Sequence, residues 1–331
     1  MLSIQRISYD LFDTFRLFAF HLYTYTEYVF KKLLPRPPKS LEGEIILVTG
    51  SGRGIGRFIC LELASHGATV VCWSKSPGPN EEVAQQIRQR GGKAFAYSVD
   101  VGDKKAVEQS ANLVKKEVGN VTIVINNAGV MKISPFLDTS ETDVESMFSV
   151  NILSHIWVIK QFLPKMLEVN KGHLVSVCSA AGLLPTRNLV SYSSTKHAVH
   201  GLYDALRDEL RMRNDNKVKI TSVYPFYCST AMLDGGIPHT RFPFLFPIDP
   251  PEVVAAKIVE GIRSEVEYLY TPRLVGWLAM FSWIVPLRAV DAYGDFLHLQ
   301  IDPAPVQKQP QTCTKNNFLN GSCANGHSVR G

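Results

Sequence analysis

The sequence has no C-x-x-C pair and no histidine–cysteine cluster at metal-ligand spacing. Its six cysteines, Cys60, Cys72, Cys178, Cys228, Cys313 and Cys323, are scattered. That argues against a zinc site or a disulfide framework, and no metal is expected; the thiols read as reduced and mostly buried in a chain facing the cytosol. Neither sign of charge dominates: the net charge is +5 over 331 residues, and the central part holds no dense Lys/Arg block, so nucleic-acid binding is not expected. The N-terminal segment lacks a long hydrophobic run. Its longest uncharged stretch, residues 17–26, is about ten residues, short of the roughly 18 that a spanning helix needs. Early acidic residues and the lack of a small-residue cleavage site fit a secretory signal poorly. Glycosylation patterns at Asn120 and Asn320 are short and common by chance, and carry little weight. The hydrophobic share, 45%, excludes global disorder.

What is present is an alternation of short apolar, β-branched runs with helical patterns. The runs cover residues 45–48, 69–72, 94–99, 121–125, 173–177 and 219–223; helical patterns include 55–66, 80–90, 104–118 and 145–162. Uniformly apolar strands separated by helices predict an α/β fold: a doubly wound parallel sheet covered on both faces, with right-handed crossovers and ligands at the carboxyl ends of the strands. Five zones follow: a helical anchor over 1–34, a Pro-rich linker over 35–42, the α/β domain over 43–272, an apolar segment over 273–300, and a polar, disordered tail over 301–331.

In the first zone Leu11, Phe15, Phe18, Leu22, Tyr25 and Val29 make one helical stripe, interrupted by Asp13, Arg16, Glu27 and Lys31. The stripe fits an interfacial membrane helix, with Lys31, Lys32 and Arg36 towards anionic headgroups. The bland alternative is a helix packed on the domain or on a second subunit. The segment 274–287, with Trp277, Met280, Phe281, Trp283 and Ile284, fits equally a terminal helix closing a substrate pocket and a second membrane contact.

The first strand runs into Gly50-Ser51-Gly52-Arg53-Gly54-Ile55-Gly56 and then a helix. Glycines in such a turn let the backbone approach a pyrophosphate, and the helix N-terminus offers free N–H groups. After the second strand stand Ser74, Lys75 and Ser76, with no carboxylate to bind a ribose 2′-hydroxyl or repel a 2′-phosphate. With Arg53 nearby, these residues favour NADP(H) over NAD(H). In Asn126-Asn127-Ala128-Gly129 the small residues leave room for a cofactor and the asparagines tie neighbouring strands.

Tyr192 and Lys196 are four apart, on one helix face. An ammonium beside a phenol favours phenolate, and so suits a tyrosine that gives and takes a proton. Ser179 lies at the end of the strand over 173–177, where a hydroxyl can hold a substrate oxygen; Ser176 and Ser191 are nearby rivals. Asn151 sits in the helix over 145–162; taken alone it reads as a buried polar residue at a kink.

The ordered set of glycine turn, Asn-Asn-Ala-Gly, Asn151, Ser179, Tyr192 and Lys196 resembles the short-chain dehydrogenase/reductase family across roughly residues 43–235. The resemblance implies a Rossmann-type domain and a nicotinamide dinucleotide cofactor. It implies Asn151, Ser179, Tyr192 and Lys196 as the catalytic set, with Asn151 holding a proton-relay water and Lys196 also binding the nicotinamide ribose. It further implies Asp100 at the adenine amino group with Val101 beside it, and Pro225 and Thr230 at the nicotinamide. Thr122 stands where many members have Asp, and Phe226 where a Gly is usual. The stretch Arg241 to Pro247, with residues 53–57 and the N-terminal segment, resembles the membrane-bound branch of retinol dehydrogenases/retinal reductases and lipid-droplet 17β-hydroxysteroid dehydrogenases. That implies a lipophilic alcohol/carbonyl pair as substrate, the endoplasmic reticulum membrane or lipid droplet as location, and a homodimer as an open possibility. An apolar lid over 231–248 agrees with an apolar substrate. Two other readings stay open: a catalytically silent dinucleotide- or lipid-binding scaffold, and a soluble enzyme for small polar metabolites.

Overall fold

The computed structural model describes residues 4–33 and 37–304. In chain order the elements are α1 (Ile4–Leu33), β1 (Ile45–Thr49), α2 (Gly54–Ser65), β2 (Thr69–Ser74), α3 (Pro77–Gln89), β3 (Lys93–Ser98), α4 (Lys104–Glu117), β4 (Ile123–Asn126) and α5 (Glu141–Phe148). There follow α6 (Ser154–Glu168), β5 (His173–Val177), α7 (Val190–Arg211), β6 (Lys219–Pro225), β7 (Gly236–His239), α8 (Pro251–Arg263), β8 (Tyr268–Thr271), α9 (Leu274–Ile284), α10 (Leu287–Leu297) and β9 (Gln300–Pro303). Seven parallel strands form one sheet in the order β3-β2-β1-β4-β5-β6-β8. The order reverses between β1 and β4, which opens a crevice at their carboxyl ends.

Alternation along the strands feeds two cores. Ile46, Val48, Val70 and Cys72 face one way, onto Ile59 and Leu63 of α2 and Val254 and Ile258 of α8. Leu47, Val71 and Val124 face the other, onto α4, α6 and α7 through Val114, Phe162 and Tyr203. Strands buried on both faces read as unbroken apolar runs, which is the pattern that the sequence shows.

Three features differ from the expectations. The helix expected over 145–162 is two helices joined by a π-turn at Ser149–Leu153. Asn151 lies in that turn, where its amide binds the backbone of Val130, and a π-turn accommodates this capture without ending the helix. Residues 301–303, expected in the polar, disordered tail, instead belong to β9, which pairs with β7 in a small antiparallel sheet and buries Ile301. Residues 305–331, with Cys313, Cys323 and the Asn320 pattern, lie outside the described residues, as do Pro35 and Arg36. β8 is the edge strand that the apolar runs did not reveal; α9 packs on it, and a Cβ at Gly276 would come within 2.6 Å of the Tyr270 ring.

α1 exposes Leu11, Phe12, Phe15, Phe18 and Leu22, and Asp13 pairs with Arg16 at 3.7 Å. Among the described residues no helix is long and apolar enough to cross a membrane.

Candidate active site

A cleft of about 1620 Å³ runs over the carboxyl ends of the strands, from Ser74 and Asp100 at one end, past Gly50 and Gly129, to Tyr192 and Phe281 at the other. Its floor is the glycine turn. Gly50 adopts φ +68°, and a Cβ there would lie 2.8 Å from the Ala128 Cα. A Cβ on Gly56 would lie 2.2 Å from the Gly50 carbonyl oxygen, so α2 starts directly against the turn. Asn127 Nδ2 donates to the carbonyls of Thr49 and Gly50 (2.9 and 3.3 Å), and the Thr49 hydroxyl accepts from the N–H groups of Asn127 and Ala128, both at 3.0 Å. Arg53 precedes α2 without a side-chain cap, which leaves the first N–H groups of the helix for a ligand. This cradle fits a pyrophosphate.

The predicted cofactor residues Arg53, Gly54, Ile55, Ser74, Lys75, Val101, Pro225 and Thr230 all line the cleft. Ser51 does not. Its side chain is fully buried, with the hydroxyl 2.6 Å from Asn80 Oδ1, and its N–H donates to the Trp73 carbonyl. Asn80 is the residue that sequence reasoning missed: its Nδ2 donates to Cys72 and Tyr97 carbonyls, clipping β2, β3 and the turn together. A polar residue in the first turn of an amphipathic helix gives no signal of such a role. At the far corner the Lys75 ammonium lies 2.7 Å from the Asp100 carboxylate, which also accepts from the Gly102 N–H. The pairing holds Lys75 above its ordinary pKa and Asp100 below its own. Arg53 donates to the Ser76 hydroxyl at 3.3 Å.

The four predicted catalytic residues converge from three elements. Ser179 follows β5 and starts a short 3₁₀ turn, its hydroxyl accepting from the Ala181 N–H at 3.1 Å. The same hydroxyl faces the Tyr192 phenol and acts to lower its pKa. Tyr192 and Lys196 project from the first turns of α7, both buried, and the Lys196 ammonium lies 5.7 Å from the Tyr192 ring centroid while donating to the Val177 carbonyl at 3.1 Å. Asn151 Oδ1 accepts from the Val130 N–H (2.8 Å), and its Nδ2 donates to the Val130 carbonyl (2.9 Å) and the Thr195 hydroxyl (3.0 Å). Three of the four hydrogen-bonding positions of this amide are therefore taken, leaving one Oδ1 lone pair for any further partner.

The expected lowering of the Tyr192 pKa is not what the fold produces. Burial pushes the phenol up, the Ser179 hydroxyl opposes this in part, and the phenol stays protonated at neutral pH. Lys196 moves down, again through burial. Behind the site, Asn126 donates to the Tyr203 hydroxyl at 2.9 Å and His155 Nδ1 lies 3.3 Å from the same oxygen, which fixes the end of β4.

On the substrate side, Phe226 fills the position of the usual glycine and packs at a tilt between Tyr227 and the buried Phe246, so the loop after β6 is pinned by aromatic contacts. α9 has two faces. Leu278 and Phe281 line the cleft, whereas Trp277, Met280, Trp283 and Ile284 are exposed.

The pattern of the short chain dehydrogenase family matches residues 44–238. The chain is 37% identical to human epidermal retinol dehydrogenase 2 over 295 residues, 88% of this chain and 95% of that one. It is 35% identical to human 17-beta-hydroxysteroid dehydrogenase 13 over 281 residues, 85% of this chain and 92% of the relative. A short-chain dehydrogenase/reductase from Burkholderia phymatum, solved in complex with NAD, shares the fold with a TM-score of 0.66 at 24% identity, covering 73% of this chain and 93% of its own. The chain therefore belongs to the short-chain dehydrogenase/reductase family, in the branch of retinol and 17β-hydroxysteroid dehydrogenases, and is an NAD(P)-dependent oxidoreductase.

Proposed function

We propose that the protein interconverts a lipophilic alcohol and its carbonyl compound (a retinoid, a long-chain aldehyde or a steroid) with NADP(H), at the endoplasmic reticulum membrane or a lipid droplet, its catalytic domain facing the cytosol. The observation that carries this reading is the convergence of Ser179, Tyr192 and Lys196 in a cleft whose substrate end is walled by Leu233, Leu278, Phe281 and Ile301. An apolar wall with a few convergent polar groups selects an apolar compound with one reactive oxygen. Two human relatives are named for retinol and for a 17β-hydroxysteroid, which agrees.

For the cofactor, β2 ends in Ser74, Lys75 and Ser76 with Arg53 across the turn. Two cations and hydroxyls fit a 2′-phosphate, and β2 itself ends in no carboxylate that would repel it. Asp100 holds Lys75 only at the surface, where the lysine is free to turn towards a more strongly charged partner.

A nicotinamide dinucleotide held by the glycine turn with Pro225 and Thr230 would supply or accept the hydride. Ser179 orients the substrate oxygen. Tyr192, kept neutral by burial, holds the proton that this oxygen requires on reduction. The Lys196 ammonium stabilises the charge that develops on the phenol as the proton leaves. Asn151 clamps the Val130 loop to α7 through Thr195 and so fixes the wall facing Tyr192.

Membrane association is read from two exposed apolar surfaces, α1 and the outer face of α9. The test is reduction of all-trans-retinal, a long-chain aldehyde and a ketosteroid by membranes carrying the wild type or Tyr192→Phe, with NADPH and NADH in separate assays. The expected outcome is NADPH-driven turnover of at least one compound, reduced about a hundredfold or more in Tyr192→Phe. Equal rates in both proteins, or NADH ahead of NADPH, would overturn the catalytic or the cofactor part respectively.

A further inference from the structure

Three segments distant in sequence meet over the catalytic tyrosine, and one of them is the C-terminal strand β9. After α10, His298 takes φ +52°, a left-handed position that turns the chain back towards the cleft. β9 then pairs with β7, which belongs to the lid: Ile237 stands opposite Asp302, and Pro238 opposite Ile301. The backbone of β9 is also held from the protein side. Asn188, four residues before Tyr192, donates through Nδ2 to the Ile301 carbonyl at 2.9 Å, and the Tyr227 hydroxyl donates to the Gln300 carbonyl at 3.0 Å. His239 Nε2 of the lid lies 3.3 Å from the Asp302 carboxylate.

The side chain that this places at the site is Ile301. It is fully buried and packs with Ile133, Met147, Ala181, Leu189 and Tyr192, with Leu233 of the lid against the same cluster. The fit is tight, since a Cβ on Gly236 of the lid would lie 2.5 Å from Ile133 and 2.9 Å from Ile301. Ile301 also lines the cleft itself.

We infer that β9 belongs to the substrate site. Ile301 is a specificity-determining and positioning residue: it closes the lid onto Tyr192 and sets the width of the apolar wall along which the carbonyl compound lies. Removal of its branched side chain loosens the lid and takes contact from a bulky apolar substrate, whereas a short aldehyde, which covers less of this wall, loses less. The enzymatic part of this inference rests on the proposed carbonyl reduction; the latch between β7 and β9 does not.

Ile301→Ala and Ile301→Val, each in the full-length chain, are compared with the wild type in two measurements. One is kcat and KM with NADPH for butanal and for all-trans-retinal. The other is amide hydrogen exchange of β7 without substrate. In Ile301→Ala, KM for retinal should rise about tenfold or more and by a clearly larger factor than KM for butanal, and the β7 amides should exchange roughly tenfold faster or more. Ile301→Val, which keeps the branch, should restore most of both. An unchanged retinal KM, or a loss that falls equally on the two aldehydes with kcat, overturns the specificity role; unchanged β7 protection overturns the latch. A wild type that reduces neither aldehyde overturns the proposed substrate class instead, and the exchange rates then decide the latch alone.

Discussion

At the scale of single residues, burial sets the ionisation of this site more than any one neighbour does. Tyr192 is driven towards its neutral form and Lys196 away from its charged one, so burial tightens the hold of the phenol on its proton and loosens that of the ammonium. Two histidines show the same force without a role in the reaction. His155, between Tyr203 and the charge of Lys196, and His173, between Thr221 and Lys39, are pushed down from 6.5 to about 3 by burial, with the nearby ammonium groups adding to it. Both are neutral in the folded state, whereas the unfolded chain protonates them below 6.5. Stability therefore falls as pH drops through 6.5 towards 3, each histidine costing about 1 kcal/mol over the first pH unit. Urea unfolding of the wild type and His155→Gln between pH 6.5 and about 5.5, above the carboxylate range, should show a clearly shallower pH slope in the variant. An identical slope in both would mean that His155 is not held neutral.

At the scale of elements, the glycine turn and the π-turn place the two halves of the cleft. The turn works because the carbonyl of Gly50 occupies the space that a Gly56 side chain would need. Gly56→Ala should cost about 3 kcal/mol and weaken binding of NADPH to the folded protein. Gly78→Ala, in the first turn of α3 with nothing within 4 Å of the added methyl, should be neutral or slightly stabilising. Thermal unfolding and NADPH fluorescence of the two variants check this pair; similar behaviour would mean that the turn yields to the extra methyl. The spacing of Gly50, Gly54 and Gly56 was legible in the sequence because a motif of glycines has few other uses between a strand and a helix. The π-turn was not, since residues 145–162 keep a helical period throughout and the insertion shows only when Asn151 finds Val130.

At the scale of the whole molecule, two apolar surfaces are uncovered among the described residues: α1 and the outer face of α9 with Trp277, Met280, Trp283 and Ile284. Large exposed apolar faces mark an interaction surface, and α9 is continuous with the substrate wall through Leu278 and Phe281. The two readings of residues 274–287 are compatible here, because the helix presents one face to the cleft and leaves the other bare. On this reading the full-length chain floats with anionic phospholipid vesicles, and a chain lacking residues 1–34 still floats, more weakly. Trp283→Ala with Ile284→Ala in that shortened chain should lower partitioning at least about tenfold, at about 2 kcal/mol for each side chain withdrawn from lipid. A shortened chain that stays wholly in the aqueous phase would confine membrane contact to α1.

The sequence by itself determined the doubly wound sheet, the glycine turn, and the order of Ser179, Tyr192 and Lys196, because each depends on local periodicity or on spacing along the chain. It also showed that residue 74 is not acidic, which is a matter of identity alone. Only the tertiary structure decided where Ser51 points, since its partner Asn80 lies beyond a whole strand, and that Tyr192 is raised rather than lowered, since burial is a property of the assembled core. It alone brought Ile301 to the catalytic tyrosine. A single apolar residue in a polar stretch carries no period, and it acquires a role only when β7, Asn188 and Tyr227 supply the hydrogen bonds that hold its strand in place.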